Sequence, residues 1–202
     1  MDYFNASERE GQLRFASKRD RMFKPIVTLL IRLNITPNQV SAFGVALLLA
    51  GAACPARLFP LMMVLVSLYV VSDGIDGCLA RVTGKTSEGG SLVDIVVDQA
   101  GPVIIAAAST IHIPTMPSLA VLFSNLYLIT IGLILYVNNK DIEVKFTIFR
   151  IKYLFYICYA LSFIIKFDIL SYFMGLASIY YAIIIVILLN IVCRHYDAKS
   201  KQ

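Results

Sequence analysis

The chain has 202 residues, of which 58% are hydrophobic and only 15% charged, and its mean hydropathy is +0.76. A soluble domain of this size carries about 25% charged residues and cannot hide so much apolar surface, so the composition excludes a water-soluble globular protein and requires lipid as the solvent. The formal charge of +5 would suggest nucleic acid in a soluble chain, but its distribution along this one assigns it to membrane topology instead.

A spanning helix needs roughly 20 mainly apolar residues, which leaves room for about six helices joined by short loops and no separate soluble module. Residues 1–20 have no clean apolar period and read as a short cytoplasmic lead, too polar for a cleavable secretory signal at that end. Residues 21–33 are amphipathic. On a helix Met22, Phe23, Ile26, Val27, Leu29, Leu30 and Leu33 share one broad face, opposite Arg21, Lys24, Thr28 and Arg32. That pattern predicts an interfacial helix, apolar side in the acyl boundary and basic side toward headgroups, with Pro25 in its first turn.

Ile35-Thr36-Pro37-Asn38 breaks this helix and places proline early in the next one. Six spans are expected at 38–58, 61–82, 89–112, 118–138, 148–165 and 169–193. The predicted fold is therefore all-α, a polytopic bundle of six transmembrane helices with an N-terminal amphipathic interfacial helix. Its parts are the lead and interfacial helix (1–37), the transmembrane domain (38–193) and a cytoplasmic tail (194–202). Sixteen Lys and Arg residues fall on one side of this topology and only Arg57 and Lys166 on the other. The positive-inside rule then puts both termini in the cytoplasm, most simply at the plasma membrane. Anionic lipid accounts for the basic charge, and nucleic acid is set aside as a partner. Cys54, Cys78, Cys158 and Cys193 lack C-x-x-C spacing and read as small hydrophobes.

Spans two and three carry what a membrane helix should avoid. Asp73 and Asp76 follow the apolar run 64–71, and Asp94 and Asp98 lie among Leu92, Val93, Ile95, Val96 and Val97. Charged groups near bilayer depth cost several kcal/mol, so by default they face the protein interior and serve a function. Asp73, Asp76, Gly77, Ala80 and Arg81 lie on one helical stripe, and Gly90, Asp94 and Asp98 on another. If the two helices pair antiparallel, four carboxylates converge near the cytoplasmic surface, where hard divalent cations such as Mg²⁺ or Mn²⁺ would let all four stay ionised. Gly74, Gly77, Ala80 and Gly90 leave room for a bulky ligand, and Arg81 offers a bidentate donor to phosphate oxygens. These parts together describe phosphoryl-transfer chemistry.

The run Asp73-x-x-Asp76-Gly77-x-x-Ala80-Arg81-x8-Gly90-x3-Asp94-x3-Asp98 resembles the signature of the CDP-alcohol phosphotransferases, class I. The amphipathic helix, the Thr36-Pro37-Asn38 start of span one and the six spans are similar to that family as well. The resemblance implies a CDP-linked donor, commonly CDP-diacylglycerol, whose β-phosphorus is attacked by the hydroxyl of a small alcohol with release of CMP. It implies two metal ions, one held by Asp73, Asp76 and Asp94, the other by Asp73, Asp94 and Asp98, with Asp98 also the general base. Gly77, Ala80, Arg81, Ser87 and Gly90, together with Asn38, Gln39, Val40 and Ser41, are implied as donor contacts. A homodimer is implied too.

The acceptor is less legible. Family members that take a phosphorylated acceptor often carry a Tyr-x-(Lys/Arg)-Ala-Arg-like run after span four. Here that region reads Tyr136-Val137-Asn138-Asn139-Lys140, a departure that weighs against glycerol 3-phosphate or inositol phosphate. Arg150 is kept as an acceptor contact. Competing readings are a soluble CDP-alcohol donor with a diacylglycerol-like acceptor, a divalent-cation or proton carrier using the same aspartates, and a catalytically silent scaffold. Outside the cluster, His112 is expected at the outer interface and His195 in solvent. Tyr153, Tyr156 and Tyr159 are expected to pack, and Asn125 and Asn190 to bond across helices.

Overall fold

A computed structural model of the chain describes the backbone of residues 6–84, 88–140 and 151–199, with Ile142, Val144 and Ile148 between them. It describes side chains over 19–84, 95–140, 151–197 and Lys199, and at those same three residues. Among the described residues the chain forms seven α-helices and no strand: α1 Ala6–Arg32, α2 Pro37–Ala53, α3 Phe59–Val82, α4 Glu88–His112, α5 Pro117–Asn139, α6 Lys152–Ile165 and α7 Ile169–Lys199. A short 3-10 turn, Ala56–Leu58, precedes α3. The predicted all-α membrane fold is therefore observed. Length and hydropathy qualify four segments to cross a membrane (Ala56–Val82, Ile95–His112, Pro117–Asn139, Ile169–Asp197), or five if the bent pair α1–α2 is one span. At 17 and 14 residues, α2 and α6 extend only about 25 and 21 Å at 1.5 Å per residue, so length alone does not establish the count of six.

Local chemistry sets the boundaries. Thr36 and Gln39 form a reciprocal capping box at the start of α2, the Gln39 side chain accepting from the Thr36 amide at 2.8 Å, with Pro37 behind them. Asn34 at φ 55° turns the chain between α1 and α2, whose axes differ by 109°. Gly84 at φ +65° stops α3, in the left-handed conformation that glycine adopts without steric cost. Helix α2 ends at Ala53, short of the expected residue 58. Cys54 precedes Pro55 and takes extended backbone angles (ψ 136°), as the proline ring demands of its neighbour.

The structure corrects the reading of the N-terminal lead. Helix α1 already begins at Ala6 and carries Pro25 deep inside it. Pro25 has no N–H to donate to the carbonyl of Arg21, but it lies on the exposed side of the helix, where water or headgroups can serve that carbonyl. The apolar face of α1 is also divided in two. Phe23, Val27 and Leu30 pack inward with Val40, Ile75, Cys78 and Leu79 of α2 and α3, while Met22, Ile26, Leu29 and Leu33 stay exposed. One edge of the stripe thus docks the helix on the protein and the other is left exposed.

The described chain divides into two compact units, one of residues 7–108 and one running from residue 109 onward. In the first, α2 and α3 approach closely through glycine, as membrane helices do where small residues face each other. A Cβ on Gly44 would collide with the Ser72 hydroxyl, and one on Gly51 would meet Val66 Cγ2 at 3.3 Å and Leu65 Cβ at 3.4 Å. Gly44→Val is accordingly expected to destabilise the protein by about 1–3 kcal/mol, the usual cost of overpacking. A drop in melting temperature in detergent would show it; an unchanged melt would mean that α2 and α3 are less tightly apposed than described.

The second unit holds α5–α7 around stacked aromatic rings, Phe123 lying 5.2 Å from Phe155 and 5.7 Å from Tyr127. Ser162 Oγ accepts from the Leu170 amide at 2.8 Å and Ser171 Oγ from the Met116 amide at 2.9 Å, closing the α6–α7 turn and the start of α5. His112 is buried, with its Nδ1 2.6 Å from the Tyr159 hydroxyl, so at the end of α4 its side chain turns inward and joins α4 to α6. Asn125 is exposed and donates to the Val121 carbonyl of its own helix at 2.8 Å. It therefore makes no bond across helices in the monomer. Asn190 is exposed as well.

Candidate active site

The acidic helix stripe is set by residues one turn deeper. Tyr69, 2% exposed, donates its hydroxyl to the Val97 carbonyl at 3.1 Å, fastening α3 to α4 beside Asp98. From that point Asp73 lies one turn along α3, and Asp94 one turn back along α4 from Asp98. The bond therefore holds α3 and α4 together at the level of Asp98. Pro102 of α4 cannot donate to the Asp98 carbonyl, which loosens the helix ladder at that residue.

Asp76 is the most buried of the described acidic residues of the stripe, at 3% exposure. Its Oδ1 accepts from the Gly77 amide at 2.6 Å and its Oδ2 from the Ser41 hydroxyl of α2 at 2.5 Å. The close α2–α3 packing at Gly44 brings Ser41, one turn earlier on α2, within reach. Both of these donors orient the carboxylate. Asp73 and Asp98 are half-buried, and Asp98 Oδ2 accepts from Gln99 Nε2 at 2.7 Å. Oxygen donors of this kind suit a hard divalent cation. Among the described residues no three Asp, Glu, His or Cys groups come together closely enough to hold a metal. The Asp94 side chain, shared by both ion sites in the expected scheme, lies outside the described residues, as do Ser87, Arg150 and the surroundings of Gly90.

The basic half of the site holds two residues that sequence reasoning missed. Arg81 is engaged by Asp20 of α1, with Nε donating to Oδ2 at 3.0 Å and Nη2 to Oδ1 at 2.5 Å. Beside it, Arg19 keeps its Nε buried with no hydrogen-bond partner among the described residues. Both guanidiniums converge on Gly77, where a Cβ would lie 3.4 Å from Arg81 Nη1 and 3.7 Å from Arg19 Nη2. Gly74 differs from what its small size suggested. The Phe23 ring fills its space, 2.8 Å from where a Cβ would sit, so Gly74 admits α1 and not a ligand. Counting back one turn from Phe23 on the inward stripe of α1 reaches Arg19 and Asp20, a signal lost once residues 1–20 were taken as a lead.

Of the expected contacts at the head of α2, Ser41 reaches the acidic cluster, Val40 is buried in the apolar core at 8% exposure and Gln39 caps the helix. Asn38 is exposed and Ala80 half-buried.

The paired hydrogen bonds to Arg81 hold the Asp20 carboxyl below its ordinary value of 3.8. A lowered folded-state value means that folding favours the ionised form. The pair therefore contributes fully above the ordinary carboxylate value and is lost as pH falls through the lowered one. Asp20→Asn is expected to melt lower than the wild type at neutral pH and to lose less on acidification to pH 3. Parallel melting curves from pH 7 to pH 3 would contradict the pairing.

Fold and site together define an integral membrane protein with acidic and guanidinium groups gathered at one end of its N-terminal helices. A family model described as CDP-alcohol phosphatidyltransferase matches residues 34–192, and the chain belongs to that family of transferases of substituted phosphate groups. It is similar to the phosphatidylinositol phosphate synthases of Streptomyces avermitilis (35% identity over 39% of this chain and 33% of the relative) and Cutibacterium acnes (33% over 42% of each). That of Mycolicibacterium smegmatis is 30% identical over 45% of this chain and 41% of its own. The matched stretches thus span only about a third to two fifths of these relatives.

Proposed function

We propose that this protein synthesises a phospholipid by transferring a phosphatidyl group from CDP-diacylglycerol to the hydroxyl of a small polar alcohol, with CMP as the leaving product. The family match across residues 34–192, which contains the whole Asp73-to-Asp98 signature, carries this reading. In it, Asp73, Asp76 and Asp94 would hold one Mg²⁺ or Mn²⁺ ion and Asp73, Asp94 and Asp98 a second. Bound there, two such ions would supply positive charge to offset that of the pyrophosphate and of the departing CMP.

The chain's own residues divide the remaining work. Ser41 and the Gly77 amide fix the Asp76 carboxylate, and Gly77 leaves open the space beside the two guanidiniums for the donor's phosphates. Arg81, Ala80, Ser87, Gly90 and Asn38 belong to the same donor site. Asp98 takes the proton of the acceptor hydroxyl as its oxygen attacks the β-phosphorus. The names of the relatives make inositol phosphate the first acceptor to try, with Arg150 in the acceptor's path. The sequence of residues 136–140 weighs the other way. The sixteen-to-two distribution of basic residues supports a multi-pass protein of the plasma membrane with both termini in the cytoplasm, and the family resemblance supports a homodimer.

Purified protein in detergent, supplied with CDP-diacylglycerol, Mg²⁺ or Mn²⁺ and separately inositol phosphate, glycerol 3-phosphate or serine, is expected to yield one new phospholipid on chromatography. A product formed from a soluble CDP-alcohol and diacylglycerol would reverse donor and acceptor. Metal flux into proteoliposomes with no lipid product would replace the enzyme by a carrier.

A further inference from the structure

Helix α1 lies outside the family match, which begins at residue 34, yet it reaches the phosphate side of the site. We propose that α1 completes the donor site: Arg19 is a second guanidinium ligand for the donor's pyrophosphate, and Asp20 is a positioning residue that aims Arg81 at the same phosphates. The proposal rests on the donor reading above.

Three observations converge on it. First, the Arg19 Nε atom is buried without a hydrogen-bond partner among the described residues. An unsatisfied donor on a cationic group is costly, and an anion entering beside it removes that cost. Second, Arg19 Nη2 and Arg81 Nη1 approach one point from two helices, the space next to Gly77 where a side chain is absent. Two like charges held together repel unless an anion sits between them, and planar guanidiniums match phosphate oxygens with paired bonds. Third, Asp20 pairs with Nε and Nη2 of Arg81, and Nη1 is the Arg81 atom that reaches the Gly77 space, at 3.4 Å. The carboxylate both fixes that orientation and offsets one of the two positive charges.

The docking of α1 gives this arrangement its precision. Phe23 seats in the Gly74 gap and Val27 is 2% exposed in the shared core, so Arg19 and Asp20 are delivered by a packed helix and not by a loose terminus. The outer edge of the same helix, Met22, Ile26 and Leu29, faces the acyl boundary. A donor with its diacylglycerol in the membrane and its nucleotide at the surface would thus meet one helix with both of its parts.

The test is equilibrium binding of radiolabelled CDP-diacylglycerol to full-length protein in detergent micelles, with unlabelled CDP and cytidine as competitors. Arg19→Met keeps the apolar stem that packs near Gly74 and removes the guanidinium. It is expected to weaken CDP-diacylglycerol and CDP by about 10- to 100-fold and to leave cytidine within twofold. Arg19→Lys should recover part of the loss, and Asp20→Asn should weaken CDP by about 3- to 10-fold with cytidine again unchanged. Arg19→Met binding like wild type would overturn the proposal, as would equal losses for CDP and cytidine, which a merely structural helix would give. A wild-type protein that binds no CDP-diacylglycerol would instead overturn the donor reading itself, and this inference with it.

Discussion

Asp98→Asn is expected to lower CMP release by about 10²- to 10⁴-fold, the range over which a positioned general base contributes, while the protein folds and binds donor. The substitution keeps size and shape, and the carbonyl oxygen of the new amide can still accept from Gln99 Nε2, which lies 2.7 Å from the carboxylate now. What it removes is a negative charge and a basic lone pair beside the point where Tyr69 ties α3 to α4. The comparison that matters is turnover at saturating acceptor against donor affinity. Loss of turnover with unchanged affinity assigns Asp98 to the chemical step, whereas wild-type turnover would remove it from the mechanism.

The second large effect falls on Asp76, where activity and stability should separate. Asp76→Asn can keep both observed hydrogen bonds, its oxygen accepting from the Gly77 amide and its amide donating to Ser41 Oγ. Its melting temperature should stay close to that of the wild type. Asp76→Ala removes the acceptor of the half-buried Gly77 amide and Ser41 hydroxyl and opens a gap at a buried position, at about 1–3 kcal/mol. Both variants should lose activity by at least about 10²-fold, because each removes a carboxylate oxygen from the proposed metal site. An active Asp76→Asn would show that the Ser41 bridge, and not metal binding, is what this carboxylate provides.

The acidic half of the site was proposed from geometry that is local: spacings of three and four on a helix put Asp73 with Asp76, and Asp94 with Asp98, on one face each. What no local spacing could give is the tie from Ser41 of α2 to Asp76, 35 residues away. The limits of α3, α4 and α5 were legible to within two residues for a local reason too: Gly84, Pro60 and Pro117 punctuate the chain locally. Helix α7 ran on to Lys199, past the expected residue 193, since a helix leaving the membrane keeps its hydrogen bonds after its apolar period ends.

Beyond Arg81 itself, the basic half was not legible. Arg81 and Asp20 are 61 residues apart, and no periodicity connects an ion pair between helices. Position 19 also looked like one more charge in a polar stretch, because Pro25 was taken to mark a helix start. An exposed proline is tolerated inside a helix when the carbonyl it deprives can reach water, and that exception concealed nearly four turns of α1. The expectation for Asn125 failed, and the Tyr159 partner of His112 stayed hidden, for the complementary reason: hydropathy gives depth, but only packing decides whether a polar side chain turns inward or back onto its own helix.

The most direct test of the account is CMP release from CDP-diacylglycerol by the purified protein, measured with Mg²⁺ or Mn²⁺ present and again after EDTA, with inositol phosphate or another small alcohol as acceptor. The account predicts CMP formation that depends on acceptor, disappears with EDTA and returns on adding back the metal. CMP formation at the same rate in EDTA and in Asp98→Asn, or none under any condition from protein that binds the donor, would contradict it.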